Sequence, residues 1–474
     1  MKLLDSIKEL SNDSIYYGLS SVLSQLISLF LVPFYTRELD PETYGIILML
    51  SVVITFMIPI SGLSIDGGFI RFYSFAKESD KHKYFSTSIA LKCFGLILTS
   101  FIVLFFFSFI NRELFENKLS EIFKIYLILM IFFETLSMLF FSFLRVQRKV
   151  KKILYVNIFS LSIGLFFSIL LVIILKWGLN GAVIATIIGS SSKFIILAVM
   201  ILRADSFQFS KNIYKELLTY SLPKIPHKIF LFIITFSTTL FINETLGLIT
   251  AGIYFISLKI TKPLGLITNV FQQAWVPFRL DIHKLPLNEK KLLFKNISSI
   301  YLNSLIILWL IISLFTPEIY QLLIDVRYHE GIRFVPFLIL VPLSTAFYYM
   351  FITGYELHDN QKLIMYASMS VSSLQLFLSY YFMYYFAPFN FIFFHILSYV
   401  LLSLIIKKWS NQIIIFDFNF LPLILNFLSN ALIIYLSYKL HFSFFIKFII
   451  VVFFLSILYF FTKRIFKNNV LNEK

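Results

Sequence analysis

The chain has 474 residues, of which 59% are hydrophobic and only 14% charged, and its mean hydropathy is +0.85. Soluble domains carry about 45–50% apolar and about 25% charged residues, so this composition excludes a water-soluble protein and predicts a polytopic membrane protein. The formal charge of +16 does not point to nucleic acid, because its Lys and Arg sit in short segments between apolar runs, where they set topology. The lone Cys93 excludes an intramolecular disulfide, and no Cys/His spacing suggests a metal or calls for a cofactor.

Residues 1–13 are polar and amphipathic, and no short apolar core with a small-residue cleavage site follows them, so no cleaved signal peptide is expected. A span needs about 20 mostly apolar residues, and on that scale about fourteen are predicted. In chain order they lie near 14–35, 44–63, 86–109, 121–144, 153–176, 179–202, 221–243, 247–269, 294–315, 334–354, 363–386, 389–407, 418–438 and 442–462. The connections 64–85, 203–220, 270–293 and 316–333 are too short to be separate domains. Any chemistry therefore belongs within the helical bundle or at its edge.

Loop charge sets the orientation. With the N-terminus inside, cytoplasmic segments collect Arg71, Lys77, Lys81 and Lys83, then Arg145, Arg148, Lys149, Lys151 and Lys152, then Arg203, Lys211 and Lys215. Arg279, Lys284, Lys290, Lys291, Lys407, Lys408, Lys463, Arg464 and Lys467 follow, while the opposite side holds mainly Arg37, Arg112, Lys118, Arg327 and Arg333. Both termini are expected in the cytoplasm.

A shift of 207 positions lays 14–46 on 221–253 without a gap, with Gly45-Ile46 on Gly252-Ile253. An even number of spans separates the copies, so the repeat is parallel, about an axis along the membrane normal. Transporters are built this way, with substrate sites between the halves. The expected architecture is an all-α membrane protein with a six-helix lobe at 1–202, a connector at 203–220, a second six-helix lobe at 221–407, and two extra helices with a tail at 408–474.

Charges inside the spans carry the functional signal, since a lysine near the bilayer centre costs roughly 2.5–3.5 kcal/mol even on the lenient insertion scale. Lys259 and Lys262, three apart on the eighth span, share one helix face. Lys224 and Lys228 lie on the seventh span beside His227, where Pro223 and Pro226 loosen the helix start. Lys92 sits inside the third span and Glu134 near the middle of the fourth. Lys224, Lys228 and Lys92 are also near enough to the cytoplasmic face to snorkel. Grouped with Arg71, these cations suit an anionic substrate, a phosphate or pyrophosphate above all. Glu134 and Asp66 are candidates for ion coupling or charge balance. His395 on the twelfth span reads as a satisfied bundle histidine.

VPFYTRELDPETYG (32–45), GLSIDGGFIRFYSF (62–75), LRVQRKVKKILYVNI (144–158), AGIYFISLKI (251–260) and FQQAWVPF (271–278) resemble segments of polysaccharide-unit (O-antigen) flippases of the multidrug/oligosaccharidyl-lipid/polysaccharide exporter superfamily. The resemblance covers nearly the whole chain. It implies a transporter rather than an enzyme: a flippase for an oligosaccharide unit linked to undecaprenyl pyrophosphate, in a bacterial inner membrane. It also implies alternating access to a central cationic cavity, a place in surface polysaccharide or lipopolysaccharide synthesis, and partnership with a polymerase and a chain-length regulator. Many members carry an Asp-Arg pair late in the seventh span. Here Thr238 and Thr239 stand there, so that pair's role is not carried over. The alternatives are a multidrug antiporter of the same superfamily, a flippase for the peptidoglycan lipid precursor and, in another class, a polysaccharide polymerase or ligase. The last usually shows a large outer loop, whereas 316–333, with Arg327, His329, Glu330 and Arg333, is short.

Overall fold

The computed structural model describes residues 29–202, 207–282, 287–351, 361–410 and 420–471, together with 19, 22–23 and 25–27. The amphipathic 1–13 and the start of the first expected span lie outside the described residues, as do the side chains of His227, Arg279, Lys284, Lys290 and Lys291. Among the described residues all regular structure is helical. The helices are α1 Val32–Glu38, α2 Pro41–Ser61, α3 Ile65–Phe75, α4 Glu78–Phe115, α5 Ile122–Val146, α6 Val150–Ser168, α7 Gly178–Ile201 and α8 Lys211–Ser221. They continue with α9 Lys224–Ile282, α10 Leu287–Leu323, α11 Val335–Leu338, α12 Leu340–Phe351, α13 Gln361–Tyr381, α14 Phe389–Ser410, α15 Leu421–Leu440 and α16 Phe444–Leu471.

Nine described helices are long and apolar enough to cross a membrane, or ten when Val326–Arg333 and Val335–Phe351, bent by 52°, count as one span. One of them, α9, is itself two helices meeting at Gly247 (φ 76°, ψ 176°), so the chain spans the membrane many times without confirming the expected count. Two connections expected to be loops are largely helical. The 64–85 segment holds α3, and 203–220 holds the amphipathic α8. Likewise α10 runs to Leu323, well past the expected loop start at 316. An apolar-run reading sees only the hydrocarbon thickness and stops where helices become amphipathic.

The chain divides into two compact units, 1–255 with 372–388, and 256–371 with 389–474. The first is centred on Phe69, Phe85, Leu91, Phe140, Leu197 and Leu217, contributed by α3, α4, α5, α7 and α8. One outer face is apolar: Phe94, Ile97, Phe101 and Phe105 of α4 are exposed, Phe105 by 87%. An apolar face of this kind belongs against lipid. In the second unit α15 and α16 are fastened to α10. Trp309 stacks on Phe427 at 4.8 Å, Asn426 Nδ2 donates to Asn303 Oδ1 at 2.7 Å, and Lys447 Nζ donates to Glu318 Oε1 at 2.6 Å.

The repeat is visible in the backbone. In the first copy the chain breaks between α1 and α2 at Asp40, whose carboxylate caps α2 by accepting from Thr43 N at 2.8 Å, with Pro41 opening the helix. Adding 207 to 40 reaches Gly247, the break in α9. The two helices that follow these breaks meet reciprocally within the first unit. A Cβ on Gly45 would lie 2.0 Å from Leu248 O, and one on Gly252 would lie 1.8 Å from Pro41 O. Pro41 and Leu248 are themselves 207 apart, so the contact obeys the repeat. Only glycine permits such a backbone approach. Tyr44 packs edge-on against Phe255 (centroids 6.1 Å apart) beside this seam.

Candidate functional site

Five of the residues singled out from the sequence converge in the first unit. The turn from α2 to α3 passes through Leu63 and Ser64, both left-handed (φ 48° and 51°), and aims Asp66 back toward α4. A Cβ on Gly95 of α4 would lie 2.2 Å from Ser61 O, so this turn rests directly on α4. Lys92, one helical turn away and 0% exposed, donates to Asp66 Oδ1 at 2.7 Å and to Thr135 O of α5 at 2.8 Å. Lys92 is therefore paired and fully enclosed rather than extended to the bilayer edge, contrary to the snorkelling alternative.

Along α3, Gly67 and Gly68 bring the helix against the α8–α9 junction. A Cβ on Gly68 would stand 2.7 Å from Ser221 Oγ, and one on Gly67 3.7 Å from Lys224 Nζ. The junction is the break that Pro223 predicts: α8 ends at Ser221 and α9 begins at Lys224. Lys224 Nζ then lies 3.7 Å from the centre of the Tyr220 ring, and Arg71 stands 5.0 Å from the same ring while donating to its hydroxyl at 3.4 Å. Burial pushes the Tyr220 phenol up, but Lys224 and Arg71 outweigh it and hold the group below its usual range. One turn on, Lys228 is half-buried and within electrostatic reach of Asp66, Lys92 and Lys224. Lys228 thus links the Asp66–Lys92 pair electrostatically to Lys224, which with Arg71 flanks a tyrosine that the sequence reading did not select. Its only sequence signal was its place four residues before Lys224.

Lys259 and Lys262 belong to the second unit, where Lys259 is half-buried and Lys262 exposed. Their helix is anchored there by Ser257, whose hydroxyl lies 2.8 Å from Tyr320 Oη and donates to Gly331 O at 3.1 Å. Glu134 does not join the Asp66 cluster. Both of its oxygens accept from Lys193 Nζ at 2.7 Å, in a groove of about 280 Å³ lined by Ser160, Ser168, Thr186 and Ser190. Lys193 escaped the sequence reading although it lies inside the 179–202 span. Thr238 and Thr239 are buried, and Thr239 shares a hydrogen bond with Tyr254. His395 corrects its expectation. It is 5% exposed and stacked on Tyr399, yet among the described residues neither ring nitrogen has a hydrogen-bond partner.

The chain is thus an all-helical, multi-pass membrane protein with paired and clustered charges among its helices. The lipid II flippase MurJ, in an inward closed conformation, has the same fold: it is 17% identical, with a TM-score of 0.70 over 96% of this chain and 100% of that chain. A multidrug resistance MATE family transporter of the MOP superfamily is also similar. In its inward-facing conformation it is 14% identical, with a TM-score of 0.63 over 83% of this chain and 94% of that one. A multidrug resistance MATE family transporter in an outward-facing conformation gives 16% and 0.58 over 86% and 95%. No curated protein matches by sequence. The family described as polysaccharide biosynthesis protein matches residues 10–283, more than half of the chain, and the chain belongs to that family.

Proposed function

We propose that the protein is a flippase that moves an oligosaccharide repeat unit, linked to undecaprenyl pyrophosphate, across a bacterial inner membrane. The observation that carries this reading is the meeting of Arg71 and Lys224 at Tyr220, with Lys228 within electrostatic reach of Lys224 and of the Asp66–Lys92 pair, in a chain of the polysaccharide biosynthesis family. An excess of cations within a bundle otherwise built for lipid suits a pyrophosphate headgroup and repels a cationic drug.

In this reading the two halves, 14–202 and 221–407, alternate access, with Arg71 and Lys92 of the first half and Lys224, Lys228, Lys259 and Lys262 of the second as candidate contacts to the headgroup. Asp66 and Lys92 hold the first half's charges in place. Glu134 with Lys193 is the candidate for coupling to an ion gradient. The basic loops face the cytoplasm, as do both termini. A polymerase and a chain-length regulator would take the product on the far side.

The test is rescue of surface polysaccharide in a flippase-deficient strain. The wild-type chain should restore it, while Lys259→Gln and Lys262→Gln should insert normally yet lose at least tenfold of the flux. Full rescue by both single variants would remove these lysines from the site. The likeness to a lipid II flippase supports a second reading, the peptidoglycan precursor as substrate. Growth of a strain depleted of its lipid II flippase, sustained by this chain, would favour that second reading.

A further inference from the structure

A second cavity, of about 600 Å³, opens at the basic end of the first unit, lined from the start of α4, the α5–α6 turn and the end of α7. We propose that it binds the headgroup of an anionic phospholipid from the adjoining leaflet. The proposal rests on the reading that this end is cytoplasmic. The cavity shares no lining residue with the Arg71–Lys224–Tyr220 cluster.

Among the described residues three lysines line it, Lys81, Lys149 and Lys152, against one carboxylate, Glu78. Glu78 is already engaged by Lys81, and Lys149 donates to Gln147 Oε1 at 2.6 Å. The floor is aromatic. Phe85 and Phe143 lie 4.6 Å apart, Tyr73 packs edge-on against Phe143, and Lys81 Nζ hangs 5.7 Å from the Tyr73 ring. On one side the rim is apolar and exposed: Met200 by 40%, Leu202 by 48% and Phe207 by 60%.

A cationic mouth beside an exposed apolar rim complements a molecule with a phosphate at one end and acyl chains at the other. A soluble phosphate compound would satisfy the lysines and leave the rim uncovered. Pockets of about 300–1,000 Å³ suit small ligands, and basic pockets between membrane helices on the cytoplasmic side recognise anionic headgroups.

The test uses the full-length chain, purified in detergent and stripped of lipid, with phosphatidylglycerol titrated and read by native mass spectrometry. Binding should exceed that of phosphatidylcholine. It should fall roughly fivefold for each of Lys81→Gln, Lys149→Gln and Lys152→Gln, and about a hundredfold for the triple variant. The triple arginine variant should keep binding, which guards against a folding defect. Lys83→Gln, on the same helix but outside the cavity, should leave binding unchanged.

Equal loss from Lys83→Gln, or equal binding of both lipids, would overturn the proposal. Full displacement by glycerol 3-phosphate would assign the cavity to a soluble phosphate, and stoichiometric displacement by undecaprenyl pyrophosphate would assign it to the transported lipid. Either result overturns the phospholipid assignment. None of these readouts depends on orientation. Labelling of a cysteine at position 149 from one side of whole cells tests the orientation separately.

Discussion

Lys92 shows what a single charge requires inside an apolar bundle. Its ammonium is enclosed and meets one carboxylate and one backbone carbonyl, so its desolvation is offset only while both are present. Lys92→Met should therefore destabilise the protein by about 3–5 kcal/mol, because it takes from Asp66 its hydrogen-bonded partner and leaves only the more distant Lys228, whereas adding Asp66→Leu should recover part of that loss. Thermal unfolding of the four proteins in detergent measures the coupling, and strictly additive effects would show that the pair is not a unit. The sequence exposed Lys92, Asp66 and Glu134 as charges in the wrong solvent but not their partners. The lysine of α4 reaches the start of α3, 26 residues away, and Glu134 reaches Lys193, 59 away. Such pairings are set by which helix faces meet, and no local pattern carries that information.

Among the elements, the seam of Gly45 and Gly252 is the most constrained. A methyl at either position would press on a carbonyl oxygen across the contact, forcing two helices apart. Gly45→Ala and Gly252→Ala should each cost about 1–3 kcal/mol or more, as overpacked sites do. Their effects should not add, because both act on one contact. Gly265→Ala is the control: nothing lies within 4 Å of its Cβ, so alanine there should be neutral or slightly stabilising. Chemical denaturation midpoints would decide it, and a neutral Gly252→Ala would show that the helices part easily. The 207-residue shift made the two glycines equivalent in the sequence. That they face each other was not legible there, since a repeat relates positions without saying where its copies touch.

For the whole molecule, positive charge at one end of the first unit's helices is the feature from which orientation follows. With Cys93 replaced by alanine, single cysteines at Lys149 and Arg112 should label from opposite sides of the membrane, Lys149 from the cytoplasm. Labelling of position 149 from outside and of position 112 from the cytoplasm would reverse the topology. Composition alone determined that the chain lives in a bilayer, because so few charged residues cannot clothe a soluble surface. Hydropathy likewise placed most helix cores, the proline-marked break before Lys224 and the mid-span lysines, since each is a local conflict with an apolar solvent. The tertiary structure decided the rest: the helical character of 65–75 and 211–221, the recruitment of Tyr220 between Arg71 and Lys224, and the separation of Glu134 from Asp66. Those outcomes depend on close approach between segments distant in the chain, where one glycine or one paired charge selects among many packings of equally apolar helices.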